Sequence, residues 1–318
     1  MKLSVIVCTR NRPDKVSQCL KSVLDSNFSD FEIIVVDQSK KLTIKVKSER
    51  VNRFRMAQTG LSKSRNFGLK KAEGEIVAFT DDDCIVDRNW LRRIADSFET
   101  EEEVSAVFGK VLPYQPEKHK KQICPCVFLR ERKRIIDAPC LHWQKIGFGN
   151  NMAFKKEVFR KFGGFKEWLG IGSVGRSAED AEFTLRLLLN GKKILFNPKV
   201  KVYHNRWLTK EEFKKQNLSY CCGEMACYGY LAFKGLKLGR KVVRKNFTDS
   251  YWKLRKAAKK TLFLKKRGLR LLTEGLKELC FRFRGLLVAF WFSKDESFIL
   301  RAGSRRILRR QFSTGLWS

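Results

Sequence analysis

The alternation of short apolar runs with helix-patterned segments constrains the fold of this chain more than any other feature. Each run is rich in β-branched residues and has the length of a strand that is buried on both faces. The runs are residues 2–8, 31–36, 75–79 and 104–108. The helix-patterned segments are residues 13–24, 61–72 and 90–98. Strands that alternate with helices predict an α/β fold in which helices flank a mostly parallel sheet.

Polar residues stand where three of the predicted strands end. The first strand is followed by Thr9, the second by Asp37, and the third by Asp81-Asp82-Asp83. Ligands of parallel sheets bind in the crevice beyond the carboxyl ends of the strands. A single Asp at such a point is most often a turn or cap residue. Three polar strand ends together predict a binding site.

The adjacent carboxylates of Asp81, Asp82 and Asp83 repel one another, so either a bound cation or solvent has to offset their charge. Mg²⁺ and Mn²⁺ take carboxylate and phosphate oxygens as ligands. The sequence has neither a G-x-x-x-x-G-K-[ST] loop nor a G-x-G-x-x-G loop after a strand. We therefore expect a diphosphate to bind through a metal ion and basic side chains such as Arg65.

The order of several motifs resembles glycosyltransferase family 2. In the first half of the chain these motifs are VIVCTRNRP, FEIIVVDQS, GLSKSRNFGL and GEIVAFTDDDC. They are followed by GFGNNMAFKKEVFRKFGGF, SAEDAEFTLRLLLNGKKILFNP and KVYHNRW. The resemblance covers about residues 2–207. It implies a GT-A fold, which is a Rossmann-like sheet flanked by helices, and an inverting transferase that uses a nucleotide sugar, with a UDP-sugar as the expected donor.

The resemblance also implies roles for the residues that match the family motifs. Thr9, Asp37, Arg65 and Asp81 are expected to bind the nucleotide, with Asp37 facing the base. Asp83, Asp81 and His204 are expected to bind Mn²⁺ or Mg²⁺. Gln38 stands where many relatives carry a second acidic residue, which leaves the identity of the base open.

Asp180 matches the catalytic base of the family. Glu179 and Asp180 open a predicted amphipathic helix that ends at Asn190-Gly191. The helix dipole favours a carboxylate anion in the first turn, and a general base has to be ionised. From spacing alone, a helix-start acid without a catalytic role is the favoured interpretation of this position, and the resemblance to the family reverses it. Four further residues are expected to contact the donor or acceptor: Asn150, Asn151, Glu179 and Arg206.

Charge divides the 318-residue chain unevenly. Residues 216–318 hold 24 Lys and Arg against 6 Asp and Glu, which is +18 of the total net charge of +34. We expect a GT-A catalytic domain over residues 1–215 and a basic helical region over residues 216–318. A charge of this size points to a polyanionic partner such as anionic lipid or nucleic acid.

A row of apolar residues with helical spacing runs through the basic region. It consists of Leu262, Leu269, Leu272, Leu276, Leu279, Phe283 and Leu287, and basic residues flank it. Three glycines, Gly268, Gly275 and Gly285, predict that the helix is broken into segments. This row of residues either docks on an anionic membrane surface or packs on the catalytic domain. We do not expect nucleic acid as a partner, because no nucleic-acid-binding module is recognisable.

The sequence indicates a cytoplasmic protein that is either free in the cytosol or peripheral on the inner membrane face. No signal peptide is recognisable, and the longest uncharged apolar stretch, residues 286–292, is far short of the roughly 20 residues of a membrane span. The ten cysteines lack the spacing of a disulfide scaffold. Cys124, Cys126, Cys140 and His142 are all zinc-ligand types, but the C-x-C spacing is tighter than usual. We therefore do not predict zinc.

Two other classes of protein remain open alternatives. One is a membrane- or nucleic-acid-binding protein without activity on a degenerate transferase fold. The other is a sugar nucleotidyltransferase, which would need a Gly-rich loop near the N-terminus, where this chain has CTRNRP. The interpretation that we favour is a transferase acting on a glycan, a glycolipid or a cell-surface polysaccharide. The ordered motifs resemble both the nucleotide-sugar half and the acceptor half of the family.

Overall fold

A computed structural model describes residues 1–40, 46–139, 145–263 and 265–295. The strands are β1 (Leu3–Thr9), β2 (Phe31–Asp37), β3 (Val51–Arg55), β4 (Ile76–Asp81), β5 (Cys84–Val86), β6 (Val104–Pro113), β7 (Arg134–Ile136), β8 (Asn151–Lys155) and β9 (Lys193–His204). The helices are α1 (Pro13–Leu24), α2 (Leu61–Lys71), α3 (Trp90–Thr100), α4 (Glu157–Phe162), α5 (Glu179–Leu189), α6 (Lys210–Phe233), α7 (Lys237–Phe263) and α8 (Lys265–Asp295). A 3₁₀ helix covers Pro116–His119.

The strands form one mixed sheet in the order β3-β2-β1-β4-β8-β6-β9-β5, and β7 pairs with β9. Pairing is parallel from β3 to β4 and between β6 and β9. It is antiparallel where β8 lies between β4 and β6, and where β5 and β7 meet β9. The α/β fold class is thus confirmed, and the predicted parallel pairing holds for the strands that carry Thr9, Asp37 and Asp81.

Both faces of the sheet are covered, as the continuous apolar runs predict. In β1, Leu3, Val5 and Val7 pack into one hydrophobic cluster, while Ile6 packs into a second cluster on the other face. The amphipathic helix α3 buries Trp90 in the first cluster, and α5 buries Phe183 in the second. Side chains of a strand alternate between faces, so a strand covered on both sides must be apolar throughout.

The register of the parallel strands brings their polar ends to one edge. Thr9 pairs with Asp37 across β1 and β2, and Cys8 pairs with Asp81 across β1 and β4. On the antiparallel side, Cys84 of β5 is opposite His204 of β9. Residues that are far apart in sequence are therefore neighbours at the carboxyl edge of the sheet.

The chain divides into two compact units. The first contains Met1–Phe165 and Asp180–Lys210, and the second contains Lys166–Glu179 together with the described residues from Glu211 onward. The second unit is built mainly from α6, α7 and α8, which confirms that the basic region is helical over the part that the structure describes. Among the described residues, no helix is both long enough and apolar enough to cross a membrane.

The prediction that glycines break the last helix is wrong. Helix α8 runs for 31 residues through Gly268, Gly275 and Gly285. A Cβ atom on Gly285 would lie 2.2 Å from the carbonyl oxygen of Cys222, and one on Gly268 would lie 2.3 Å from the backbone of Thr261. These glycines let neighbouring helices approach closely, so packing offsets their low helix propensity.

Candidate active site

The three adjacent carboxylates at the end of β4 have different surroundings. Asp82 and Asp83 are buried, whereas the side chain of Asp81 is 36% exposed and faces Arg65. Thr9 donates a hydrogen bond from Oγ1 to Asp82 Oδ2 at 2.7 Å. Burial and the neighbouring charge of Asp83 raise the pKa of Asp82 to about 6. Asp82 therefore carries a negative charge less readily than an ordinary Asp.

Arg12 offsets much of the repulsion between Asp82 and Asp83. Its NH1 atom donates to Asp82 Oδ1 at 3.0 Å and to Asp83 Oδ2 at 3.1 Å. The sequence alone suggests only a bound cation or solvent for this purpose. The protein supplies its own positive charge from the first residues after β1, and the TRNRP motif did not identify Arg12 as the partner.

His204 approaches Asp83 from β9, with its Nε2 atom 3.3 Å from Asp83 Oδ1. The Nδ1–H of His204 donates to the carbonyl oxygen of Pro125 at 2.7 Å, and the Cys124 Sγ atom lies 3.7 Å from Nδ1. Burial alone would raise the pKa of Asp83, but the hydrogen bond from His204 lowers it. Burial would likewise lower the pKa of His204, yet its bonds to Asp83 and Cys124 raise that pKa.

These surroundings fit a divalent metal. When Nδ1 donates to a backbone carbonyl, a neutral His204 presents the lone pair of Nε2 toward Asp83. Ligand atoms of Asp83, Cys84 and His204 lie within 4.8 Å of one another. A carboxylate suits Mn²⁺ or Mg²⁺, and imidazole is a common ligand of divalent transition metals. Cys84 was not identified from the sequence, where it looked like an ordinary buried cysteine.

The other predicted metal ligand, Asp81, lies beside Arg65 instead. Asp81 is not in the group formed by Asp83, Cys84 and His204, the candidate metal cluster found among the described residues. Of the four possible zinc ligands in the sequence, Cys140 and His142 lie outside the described residues.

Arg65 connects the strand end to the region around Asp180. It extends from α2, is 3% exposed, and donates from NH2 to the Gly149 carbonyl at 3.1 Å and to Asp81 Oδ1 at 3.3 Å. Its guanidinium also lies 5.6 Å from the ring centroid of Phe165. A buried Arg that is held on several sides is fixed in place and keeps its charge.

Asp180 is buried in the first turn of α5. Its Oδ1 accepts a hydrogen bond from the Ala181 backbone N–H at 2.8 Å. Burial raises the pKa of Asp180, while the charge of Arg65 and the backbone N–H groups of Ala181 and Gly149 act in the opposite direction. Burial therefore outweighs the stabilisation of the anion that the position in the helix predicts.

Gly149 is a site residue that the sequence did not single out. A Cβ atom at this position would lie 2.8 Å from Asp180 Oδ2. Its carbonyl accepts from Arg65. In the sequence, the glycines of GFGNN are equally compatible with a plain turn. Only the contact with Asp180 marks Gly149 as a residue of the site.

The predicted base-binding residue Asp37 keeps one oxygen without a partner. Oδ1 accepts from the Ser39 N–H at 2.8 Å, whereas the buried Oδ2 has no hydrogen-bond partner in the part of the chain that the structure describes. Gln38 donates from Nε2 to the carbonyl of Gln58 and, at 3.3 Å, to that of Gly60. It therefore ties β2 to the loop before α2.

The predicted donor- and acceptor-binding residues have unlike surroundings. Asn151 is fully buried: its Oδ1 accepts from Trp90 Nε1 at 2.9 Å, and its Nδ2 donates to the carbonyls of Lys110 and Val200. Asn150 is also buried, but within the described residues neither polar atom of its side chain has a hydrogen-bond partner.

Glu179 and Arg206 are the remaining two residues of that group. Glu179 precedes Asp180 in the sequence, and Arg206 lies just after the end of β9. Glu179 is buried and begins α5. Arg206 is partly exposed, and its charge contributes to lowering the pKa of Asp83. The structure thus brings Asp83 and His204 into direct contact and links Thr9 to Asp83 through Asp82 and Arg12. Arg65 joins Asp81 to Gly149, which lies beside Asp180.

Comparison with characterised proteins identifies relatives of the chain. A glucosyl-dolichyl phosphate glucuronosyltransferase of Haloferax volcanii is 27% identical over 230 residues, which are 67% of this chain and 72% of that protein. The poly(ribitol-phosphate) beta-N-acetylglucosaminyltransferase TarS of Staphylococcus aureus is 27% identical over 210 residues, which are 61% of this chain and 34% of TarS. The chain therefore spans about a third of TarS.

Two solved structures share the fold. TarS 1-349 in complex with UDP-GlcNAc has a TM-score of 0.53 at 18% identity and covers 100% of this chain and 93% of that one. The mannosyltransferase PcManGT of Pyrobaculum calidifontis, in complex with GDP-Man and Mn²⁺, has a TM-score of 0.54 at 15% identity, with 93% and 88% covered. The model of Glycosyl transferase family 2 matches residues 4–163, which is half of the chain. The chain belongs to glycosyltransferase family 2.

Proposed function

We propose that this chain transfers a sugar from a nucleoside-diphosphate sugar to an acceptor hydroxyl, with inversion at the anomeric carbon and with Mn²⁺ or Mg²⁺ as cofactor. One observation carries the proposal: the buried Arg65 contacts Asp81 at the donor edge and lowers the pKa of Asp180. A single fixed cation therefore connects the carboxylate expected at the nucleotide with the carboxylate expected at the acceptor.

The donor binds along the carboxyl edge of the sheet. Asp37 accepts a hydrogen bond from the base through Oδ2, the oxygen that lacks a described partner. Asp81 accepts from the ribose, and Arg65 lies next to the diphosphate. Thr9 supports this edge through its hydrogen bond to Asp82. We expect a UDP-sugar, because the related TarS 1-349 was crystallised with UDP-GlcNAc.

Asp83 and His204 would hold the divalent ion, with Cys84 as a further group in reach. When bound, the ion would neutralise negative charge that develops on the departing nucleoside diphosphate. Arg12 keeps Asp83 in position through the contact of 3.1 Å, and the carbonyl of Pro125 fixes the orientation of the His204 ring. The protein thereby presents both ligand groups in a fixed geometry before the ion arrives.

Asp180 acts as the general base. Its carboxylate takes the proton from the acceptor hydroxyl, whose oxygen then forms a bond to the anomeric carbon while the bond to the diphosphate oxygen breaks. The attack comes from the side opposite the leaving group, so the configuration inverts. The raised pKa makes Asp180 a stronger base than an exposed carboxylate, and the charge of Arg65 limits how far burial raises it.

We expect a lipid-linked, glycan or polysaccharide acceptor. The relatives are named for a dolichyl phosphate sugar and for poly(ribitol phosphate), both of which carry phosphate. A chain with a net charge of +34 suits an anionic acceptor of either kind.

Replacing Asp180 with Asn tests the assignment, and Asp96→Asn on the surface of α3 is the matched control. Hydrolysis of a panel of nucleotide sugars with Mn²⁺ should fall by roughly a hundredfold or more in Asp180→Asn and remain normal in the control. EDTA should abolish it. Calorimetry should find UDP binding retained in both variants, because Asp180 does not hold the nucleotide. Unchanged turnover of Asp180→Asn would refute the role of this residue.

A further inference from the structure

Helix α8 exposes a row of large apolar side chains along one face. We call this row the apolar stripe, and it consists of Leu269, Leu276, Phe283, Leu287 and Trp291. Steps of seven and four residues place them on the same side of a helix. Leu287 and Trp291 are 69% and 68% exposed. A soluble helix normally turns such a stripe inward, so this one is available for a partner.

Helix α8 approaches α6 most closely at small residues. A Cβ atom on Gly285 would meet the backbone of Cys222, and Ala289, which is fully buried, lies next to Gly229 of α6. The apolar stripe lies about half a turn around the helix from Gly285 and Ala289, so it faces away from this contact. The exposure of the apolar stripe is thus built into the way α8 packs.

Helix α7 widens the apolar surface. The ring of Phe247 lies 4.9 Å from that of Phe283 in the stripe. One turn further along α7, Tyr251 and Trp252 are exposed with their rings 5.4 Å apart. The guanidinium of Arg255 lies 5.0 Å from the Trp252 ring. Aromatic rings beside cationic side chains are typical of helices that lie in the interface of a membrane.

The charges around this surface are almost all positive. Helices α7 and α8 together contain 18 Lys and Arg against 4 Asp and Glu. Exposed basic residues adjoin the stripe along its length: Arg270, Lys277, Arg284 and Lys294. The acids Glu274 and Glu278 are already paired with Lys214 and Lys253, at 2.8 and 2.9 Å.

We propose that the apolar stripe docks onto the surface of an anionic phospholipid bilayer, with its aromatic and leucine side chains in the interface and the flanking Lys and Arg at the headgroups. Charge selects this occupant. A second copy of the chain would bring two strongly basic surfaces together, which is unfavourable. Nucleic acid would match the charge but offers no apolar surface for the exposed leucines. The inference stands independently of the transferase activity.

Vesicle flotation with the full chain tests the proposal. Vesicles of phosphatidylcholine alone are compared with vesicles that also contain phosphatidylglycerol, at low and high salt. The stripe variant is Leu287→Asp with Trp291→Asp, and the matched control is Leu129→Asp, which changes a leucine that is 54% exposed in the other unit. We expect the native chain and the control to bind the anionic vesicles equally well. Binding of the stripe variant should be weaker by about a hundredfold, because two large apolar side chains are no longer buried in the bilayer interface.

A fluorophore on Cys280, an exposed cysteine four residues from Leu276, gives a second readout. Its emission should shift to the blue when anionic vesicles are added, and Cys280→Ser should remove the signal. Three results would overturn the proposal: no flotation with any vesicle, equal flotation of the stripe variant and the native chain, or a native dimer in light scattering that the stripe variant dissociates. Binding to DNA that the stripe variant loses would also count against it.

Discussion

His204 Nε2 and Asp83 Oδ1 lie 3.3 Å apart, although the two residues are separated by 121 positions in the chain. Antiparallel pairing of β5 with β9 brings them together, because Cys84 is directly opposite His204. When His204 Nε2 carries a proton, each holds the other in its charged form: the pKa of Asp83 is lowered and that of His204 is raised. A divalent ion would take the place of that proton. This pair is the core of the expected metal site.

Replacing His204 with Gln should weaken Mn²⁺ binding by about ten- to a hundredfold, because an amide is a poorer ligand than imidazole. Titration of Mn²⁺ followed by electron paramagnetic resonance measures the free ion directly. His119→Gln is the control, since that ring stacks on Trp207 at 4.3 Å and makes no contact with Asp83. Equal Mn²⁺ affinity in the native chain and in His204→Gln would exclude His204 as a ligand.

Replacing Arg65 with Gln should lower the free energy of unfolding by about 2–4 kcal/mol, because the change removes a buried charge from between two acceptors. The Gly149 carbonyl and Asp81 would both lose their donor. Urea denaturation measures the loss. Arg88→Gln changes an arginine on the surface, which pairs with Asp25 at 3.1 Å, and should leave the unfolding midpoint unchanged. A loss of equal size in both variants would contradict the structural role of Arg65.

The pH dependence of turnover should report the pKa of Asp180. Because burial raises this pKa, the base loses its charge at a higher pH than an ordinary carboxyl, so kcat should fall on acidification through the raised value and level off above it. Arg65→Gln removes a charge that lowers the pKa and should move the acidic limb to higher pH. An acidic limb that stays in place in this variant would rule out Asp180 as its source.

Substituting Gly149 with Ala should impair catalysis more than nucleotide binding. The added Cβ atom would stand 2.8 Å from Asp180 Oδ2 and would displace the carboxylate from its position. We expect kcat to fall by about tenfold or more, while UDP affinity measured by calorimetry is preserved. Gly275→Ala is a suitable comparison, because its Cβ would meet only the side chain of Leu254, which can move. Loss of UDP binding in Gly149→Ala would indicate a wider disturbance.

The parts of the fold that follow from local pattern could be predicted from the sequence. The buried runs became β1, β2, β4 and β6, and Asp37 and Asp81 do terminate parallel strands. Strand β5 has only three residues, too few for a periodic signal. The position of β8 between β4 and β6 depends on tertiary contacts that no local pattern encodes.

The site was predictable where residue type and position are both restrictive, and not where a partner comes from elsewhere in the chain. Asp83 and His204 stand out in the sequence because carboxylates at strand ends and histidines are rare. Arg12 is one of 67 basic residues, so nothing in its type marks it as the partner of Asp82 and Asp83. Cys84 looks like core, and its distance to His204 emerges only from the register of β5 and β9.

Arg12 also bears on whether the protein stays folded when divalent metal ions are scarce. Because its guanidinium contacts the carboxylates of both Asp82 and Asp83, the fold holds that corner together with a cation of its own. With the metal dependence that we propose, a cell depleted of the divalent ion would keep folded but inactive protein. Resupplying the ion would then restore activity without new synthesis or refolding.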